Sequence, residues 1–155
     1  MLEKTYVMIK PDGVQRRLAG EIISRIERKG LSVMALKLVQ LTSNQVEELY
    51  SVHKGKPFYG SLVKFIISGP VISMVIGGYQ AVSVVRLLLG ETFGYKAQPG
   101  TIRGDFGNSK GFNLIHGSDS ADSASREIPI IFSVQEIVQS PVKDLSWINE
   151  QEELK

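Results

Sequence analysis

The chain has 155 residues, 43% of them hydrophobic and 22% charged, with 18 Lys and Arg against 16 Asp and Glu for a formal net charge of +2. That length gives a single domain over residues 1–155, with 140–155 as a C-terminal tail, able to bury roughly 68–70% of its unfolded surface. The lack of cysteine excludes disulfides, thiolate catalysis and cysteine-held zinc, and so mild a charge argues against wrapping a long nucleic acid.

Thr5 to Ile9 reads as a strand that stops at the turn signal Lys10-Pro11-Asp12-Gly13. Ile22, Ile23 and Ile26 recur at helical spacing, with Lys29-Gly30 as the stop. Leu31 to Val39 predicts a second strand whose alternation fails at Val33, Met34, Ala35 and Leu36, which implies burial on both faces or subunit contact. Thr42-Ser43-Asn44-Gln45 has the pattern of a capping box and opens a helix carrying Val46, Leu49 and Tyr50. After Pro57 a short helix runs through Leu62, Val63, Phe65 and Ile66. Gly69-Pro70 leads into Val71 to Ile76, a β-branched run expected as a central strand, and Val82, Val85, Arg86 and Leu89 form a helix stopped by Gly90.

From Glu91 to Gly111 the pattern dissolves into a Gly-rich stretch, read as a functional loop because of its specific charged residues. Asn113 to Ile115 is a short apolar piece before His116, and Ser118-Asp119-Ser120 predicts the start of a helix through Ala121, Ala124 and Ile128. Pro129 is expected to end or kink that helix. The tail from Ser140 is polar apart from Val142, Leu145, Trp147 and Ile148. This order places helices on one or both sides of a small mixed or antiparallel sheet, the α+β class. No apolar run approaches the ~20 residues that span a bilayer. The opening stretch lacks the apolar core of a signal peptide, so a cytoplasmic protein with no membrane partner is expected.

Only two histidines are present, His53 and His116. His116 sits where an apolar strand ends and a helix begins, an edge position beside backbone N–H groups that can receive an anion. A neutral imidazole is a competent nucleophile, and its second nitrogen needs an acceptor, for which Asp119, Asp122 and Glu127 are the nearby acids. Lys10, Arg86 and Arg103 occupy turn or loop edges and together suit a polyphosphate, although spacing alone does not bring them together. Gly55-Lys56-Pro57-Phe58-Tyr59-Gly60-Ser61 has the glycines of a P-loop but Ser where Lys is required. No metal-ligand spacing appears.

The blocks Ile9-Lys10-Pro11-Asp12-Gly13-Val14, Gly69-Pro70-Val71, Leu89-Gly90-Glu91-Thr92, Pro99-Gly100-Thr101-Ile102-Arg103-Gly104-Asp105-Phe106 and Asn113-Leu114-Ile115-His116-Gly117-Ser118-Asp119-Ser120 closely resemble the nucleoside diphosphate kinase family, over about residues 3 to 138. The resemblance implies a ferredoxin-like α/β sandwich with a four-stranded antiparallel sheet, in a homo-oligomer that is a hexamer or a tetramer. It implies ping-pong transfer of a γ-phosphoryl group from nucleoside triphosphates to nucleoside diphosphates, with broad base tolerance. His116 would be the phosphate-accepting nucleophile through Nδ1, Glu127 would hold the other ring nitrogen, and Ser118 would join that hydrogen-bond network. Lys10, Arg86, Thr92 and Arg103 would bind phosphates, Lys10 and Asn113 the ribose hydroxyls, Phe58 the base, and Tyr50 would support Lys10. Mg²⁺ would travel on the nucleotide phosphates, with Asp119 touching it through water.

Five positions depart from the family pattern. Phe93-Gly94 stands where Asn-Pro is frequent, Lys110 faces Phe58 where an aliphatic residue is frequent, Phe112 replaces a common Arg, and Pro129 lies inside a helix. A nucleic-acid-binding module is the competing reading. It calls for exposed aromatics on the strands, whereas these strands are mainly aliphatic.

Overall fold

The computed structural model describes residues 2–139 and 144–154, so positions 140–143 of the tail, Val142 among them, lie outside the described residues. The strands are β1 (Leu2–Ile9), β2 (Ser32–Val39), β3 (Val71–Tyr79) and β4 (Ile115–Gly117). The helices are α1 (Pro11–Gln15), α2 (Ala19–Arg28), α3 (Ser43–Leu49), α4 (Tyr59–Ile67), α5 (Ala81–Leu89), α6 (Ile102–Phe106) and α7 (Ala121–Ile131).

Period-two side-chain alternation decides the layering. Tyr6 and Met8 of β1 point into one core with Val71 and Val75 of β3, while Val7 and Ile9 point into a second with Met74 and Ile76. Val46 and Leu49 of α3, Ile66 of α4 and Ile131 of α7 close the first core. Ile22 and Ile26 of α2, Val85 and Leu89 of α5 and Ile102 of α6 close the second. Helices therefore cover both faces of an antiparallel sheet ordered β2-β3-β1-β4, a ferredoxin-like α+β fold. As expected, β3 is an interior strand. β1, also interior, is buried on both faces from Thr5 to Ile9, and Tyr6 to Ile9 reads as an unbroken apolar run for that reason.

The failed alternation in β2 has a local cause. Val33 pairs with Ile76 and Ala35 with Val75, so Met34 is an extra residue in a β-bulge, which puts Met34 and Ala35 both inside. Beyond the bulge normal alternation returns, and Leu36 and Leu38 face outward on this edge strand.

The capping box forms as read: Gln45 N–H donates to Thr42 Oγ1 and Thr42 N–H donates to Gln45 Oε1. Two readings need correction. Pro129 does not end α7, which continues to Ile131. The carbonyl that loses its i+4 N–H partner belongs to Ser125, an exposed residue on the solvent side, and Phe132 N–H still closes the last turn on Ile128 O. The stretch from Glu91 to Gly111 is not structureless, because it holds a 3₁₀ turn at Gly94–Lys96 and the short helix α6, capped by Thr101 Oγ1 accepting from Gly104 N–H. Its glycines permit close backbone approach. A Cβ on Gly104 would stand 1.8 Å from the Gln98 carbonyl oxygen, and one on Gly94 would stand 2.5 Å from the Gly107 carbonyl carbon.

Candidate active site

The turn after β1 grips the strand that leads to His116. Lys10 N–H donates to Leu114 O at 2.8 Å, and Leu114 N–H donates to Asp12 Oδ2 at 3.1 Å. Gly13 allows this approach, since a Cβ there would lie 2.6 Å from Ile9 Cγ2 and 3.0 Å from Leu114 O. Leu114 adopts φ 72°, and Ile115 N–H bonds back to Asn113 O at 2.8 Å, which makes a strained γ-turn immediately before β4. The same grip sets the Lys10 and Asn113 side chains together, with Nζ donating to Asn113 Oδ1 at 2.7 Å. Asn113 Nδ2 in turn donates to the Thr92 carbonyl at 2.9 Å, tying in the loop after α5.

Arg103, at the start of α6, is almost wholly buried. Its Nε donates to Asn113 O (3.2 Å), Nη1 to Gly90 O (3.0 Å) and Nη2 to Ile115 O (2.7 Å). Three of the five guanidinium N–H groups are thus used on carbonyls, and two remain for an anion. Burial, with the Arg86 charge beside it, lowers its pKa to about 10. Arg86 on α5 reaches Gly117 O at 3.5 Å, next to His116. Lys10 is buried too, and desolvation followed by the Arg103 charge lowers its pKa to about 7. A cluster that penalises its own positive charges is one that an anion relieves.

His116 stands on β4 with 17% of its side chain exposed, enough for the ring to be reached from outside. Its Nε2 lies 3.0 Å from Glu127 Oε2, and Ser118 Oγ donates to the same oxygen at 2.7 Å. A carboxylate only accepts, so the Nε2 proton is donated to Glu127 and Nδ1 keeps a free lone pair. Burial pushes the imidazole below its ordinary pKa against the pull of Glu127, while the Lys10 and Arg103 charges add to the push. The ring is therefore neutral at pH 7. Ser118 is itself fixed by β1, where its N–H donates to Tyr6 O and its Oγ accepts from Tyr6 N–H.

Three rings line the way outward from His116. Tyr50, the residue capping α3, stands edge-on to His116 at 5.4 Å, His53 lies against Tyr50 at 6.2 Å, and Phe58 lies 5.5 Å from His53. Phe58 is half-exposed at the mouth. The structure thus draws His116, Glu127, Ser118, Tyr50, Lys10, Arg86, Arg103, Asn113 and the backbone of Thr92 into one locality, with Phe58 at its rim. Tyr50 does not hydrogen-bond Lys10: its hydroxyl is buried without a partner, and its ring contact is with His116. Among the departures, Phe112 stacks on Phe65 of α4 at 4.5 Å. Sequence reading gave no role to His53, Tyr6 or Arg126. His53 carries no spacing signal, and Tyr6 meets the site through its backbone bonds to Ser118 and its ring 5.8 Å from His116.

Comparison with known proteins follows this geometry. The family model for nucleoside diphosphate kinase matches residues 3–137. A nucleoside diphosphate kinase of Staphylothermus marinus is 57% identical over 136 residues, covering 88% of this chain and 96% of its own. One from Archaeoglobus fulgidus is 51% identical over 150 residues, covering 97% and 99%. A solved nucleoside diphosphate kinase from Halobacterium salinarum, in complex with CDP, superposes with a TM-score of 0.94 at 46% identity, covering 97% of this chain and all of that one. Matched over nearly its whole length in both sequence and backbone, this chain belongs to the nucleoside diphosphate kinase family of phosphotransferases.

Proposed function

We propose that the chain moves the γ-phosphoryl group of a nucleoside triphosphate to His116 Nδ1 and from there to a nucleoside diphosphate. The observation that carries this reading is the Nε2–Glu127 hydrogen bond, which leaves Nδ1 as the nucleophilic nitrogen of a neutral, reachable ring. In the first half-reaction the Nδ1 lone pair forms the N–P bond as the bond from the γ-phosphorus to the bridging oxygen breaks. The electron pair leaves with the β-phosphate of the diphosphate product. Glu127 and Ser118 hold the Nε2 proton in place throughout. Lys10, Arg86 and Arg103 offset the charge that shifts to the β-phosphate. The second half-reaction reverses these bonds with another diphosphate, so donor and acceptor use one site in turn.

Thr92 joins the phosphate ligands, and Lys10 with Asn113 faces the ribose hydroxyls. Phe58 offers its face to the base without reading a hydrogen-bonding edge, which favours broad base tolerance. Tyr50 completes the catalytic group by walling the imidazole.

A magnesium ion fits this site as a passenger of the nucleotide. Among the described residues no three His, Asp or Glu side chains converge to hold one. Asp119 alone offers a carboxylate near Arg86, its acidity raised by the hydrogen bond from Ser123 Oγ. The ion supplies charge neutralisation on the phosphates.

The proposal includes a homo-oligomer, hexamer or tetramer, supported by the outward Leu36 and Leu38 on the edge strand β2. It places the protein in the cytoplasm, where nucleotide pools lie, as one domain spanning 1–155. No described helix is long and apolar enough to cross a membrane. Helices cover both sheet faces, and the outward residues Leu36 and Leu38 of β2 are aliphatic rather than aromatic, which disfavours the nucleic-acid module.

Initial velocities test the reading directly. With one triphosphate donor varied at several fixed concentrations of each of four diphosphate acceptors, double-reciprocal plots are expected to be parallel for every base. Intersecting lines would mean that both nucleotides bind together and that no phosphoenzyme intervenes.

A further inference from the structure

Glu127 has a second carboxylate oxygen, and the reaction as described gives it no task. That oxygen is held by the neighbouring Arg126, whose Nη2 donates to Glu127 Oε1 at 3.3 Å. The same guanidinium reaches across to α3, where Nη1 donates to the carbonyls of Glu48 (3.2 Å) and Leu49 (3.4 Å). These are the last carbonyls of that helix, where a cation is favoured by the unsatisfied C=O groups. The residue that follows them is Tyr50, whose ring edge meets His116. One side chain therefore joins both supports of the imidazole, the carboxylate that holds its proton and the turn that carries its aromatic wall.

We propose that Arg126 is a positioning residue for the His116–Glu127 pair, orienting the carboxylate and restraining its hold on the imidazole proton. The inference rests on the phosphohistidine reading above. A guanidinium offers a planar, forked set of donors, so it can fix the rotation of a carboxylate and bind two carbonyls at once. With Oε1 on Arg126, Oε2 is left facing His116 Nε2 and Ser118 Oγ. Electrostatically, a positive charge on the far oxygen weakens the stabilisation that Glu127 gives to an imidazolium. It thereby helps His116 remain a neutral nucleophile.

The other groups around the ring are Lys10 after β1, Arg86 of α5, Arg103 of α6, His53 and Tyr50 after α3, and Tyr6 of β1. Lys10 and Arg103 push the imidazole pKa down while Glu127 pulls it up, and by Coulomb's law the Arg126 charge on the far oxygen of Glu127 adds to the downward push. The sign of the effect is then fixed. Removing the Arg126 charge raises the pKa of His116, so the acid limb of the reaction moves to higher pH.

The test is the rate of phosphoenzyme formation in single turnover, with γ-labelled triphosphate and no acceptor, followed from pH 5 to 8. Wild type, Arg126→Gln and Arg126→Lys are compared, with thermal melting of each. Arg126→Gln is expected to lower the plateau rate about tenfold through misplacement of the ring. It is also expected to shift the acid limb upward by about half a unit to one unit, as a partly exposed charge warrants. Arg126→Lys, which keeps charge but not the fork, is expected to leave the acid limb in place and recover part of the rate. A lowered melting temperature with rate plateau and acid limb both unchanged would overturn the proposal and leave Arg126 as a tie between helices. A limb moving to lower pH would also overturn it. If wild type itself takes no label, the phosphohistidine reading fails and this inference with it, whereas label in wild type with indistinguishable variants strikes this inference alone.

Discussion

His116→Ala is expected to lower turnover about ten-thousand-fold or more, because the group proposed to form the covalent bond is gone. The loss should not come from unfolding. The imidazole is part-exposed on the short strand β4, and Glu127 retains Ser118 Oγ and Arg126 as partners after the ring is removed. Its melting temperature should therefore stay within a few degrees of wild type, while steady-state assays with any nucleotide pair register the loss. A variant that kept a tenth of normal turnover would show that phosphate passes directly between nucleotides.

Arg103→Lys tests the opposite corner of the site, where structure and charge are carried by one side chain. The guanidinium binds carbonyls of Gly90, after α5, and of Asn113 and Ile115, on the segment leading into β4, so it ties two distant segments together. A single ammonium cannot span all three; Asn113 O keeps its bond from Ile115 N–H, so the loss falls on the Gly90 and Ile115 carbonyls, at about 1–3 kcal/mol for one left unsatisfied. A melting temperature lower by about 3–8 °C is expected on that basis. Catalysis should fall further, since the two N–H groups left for the proposed phosphate contact depend on the same anchorage, and kcat/KM is expected to drop about 10²–10³-fold. Near-normal kcat/KM with a lowered melting temperature would restrict Arg103 to holding the loop.

Much of this arrangement is written locally in the sequence. Val71 to Ile76 declares an interior strand by its β-branched run, and the Thr42–Gln45 box declares its helix start because both bonds lie within four residues. The site was legible through its blocks: Lys10-Pro11-Asp12-Gly13 and Asn113 to Ser120 are each continuous in the chain. What was not legible depends on contacts between distant segments. The broken alternation at Val33 to Leu36 marked an irregularity in β2, but only the pairing with β3 identifies it as a bulge at Met34. Helix α6 is five residues long, too short for periodicity, and is held by its cap and by the close backbone contacts of Gly104 and Gly107. Pro129 was read by its intrinsic tendency to break helices, yet it sits two residues from the end of α7, where one missing bond faces solvent. The second oxygen of Glu127 and its link to α3 through Arg126 become visible only once α3 and α7 are packed together.

The positional identity of the phosphorylated nitrogen tests the account most directly. The protein is mixed with one equivalent of γ-labelled nucleoside triphosphate without acceptor, quenched in alkali, and the phosphorylated residue is analysed by ³¹P resonance and peptide mapping. The account requires an acid-labile phosphate on Nδ1 of His116, matched by release of diphosphate. Phosphate on Nε2, on another residue, or no covalent phosphate at all would contradict it.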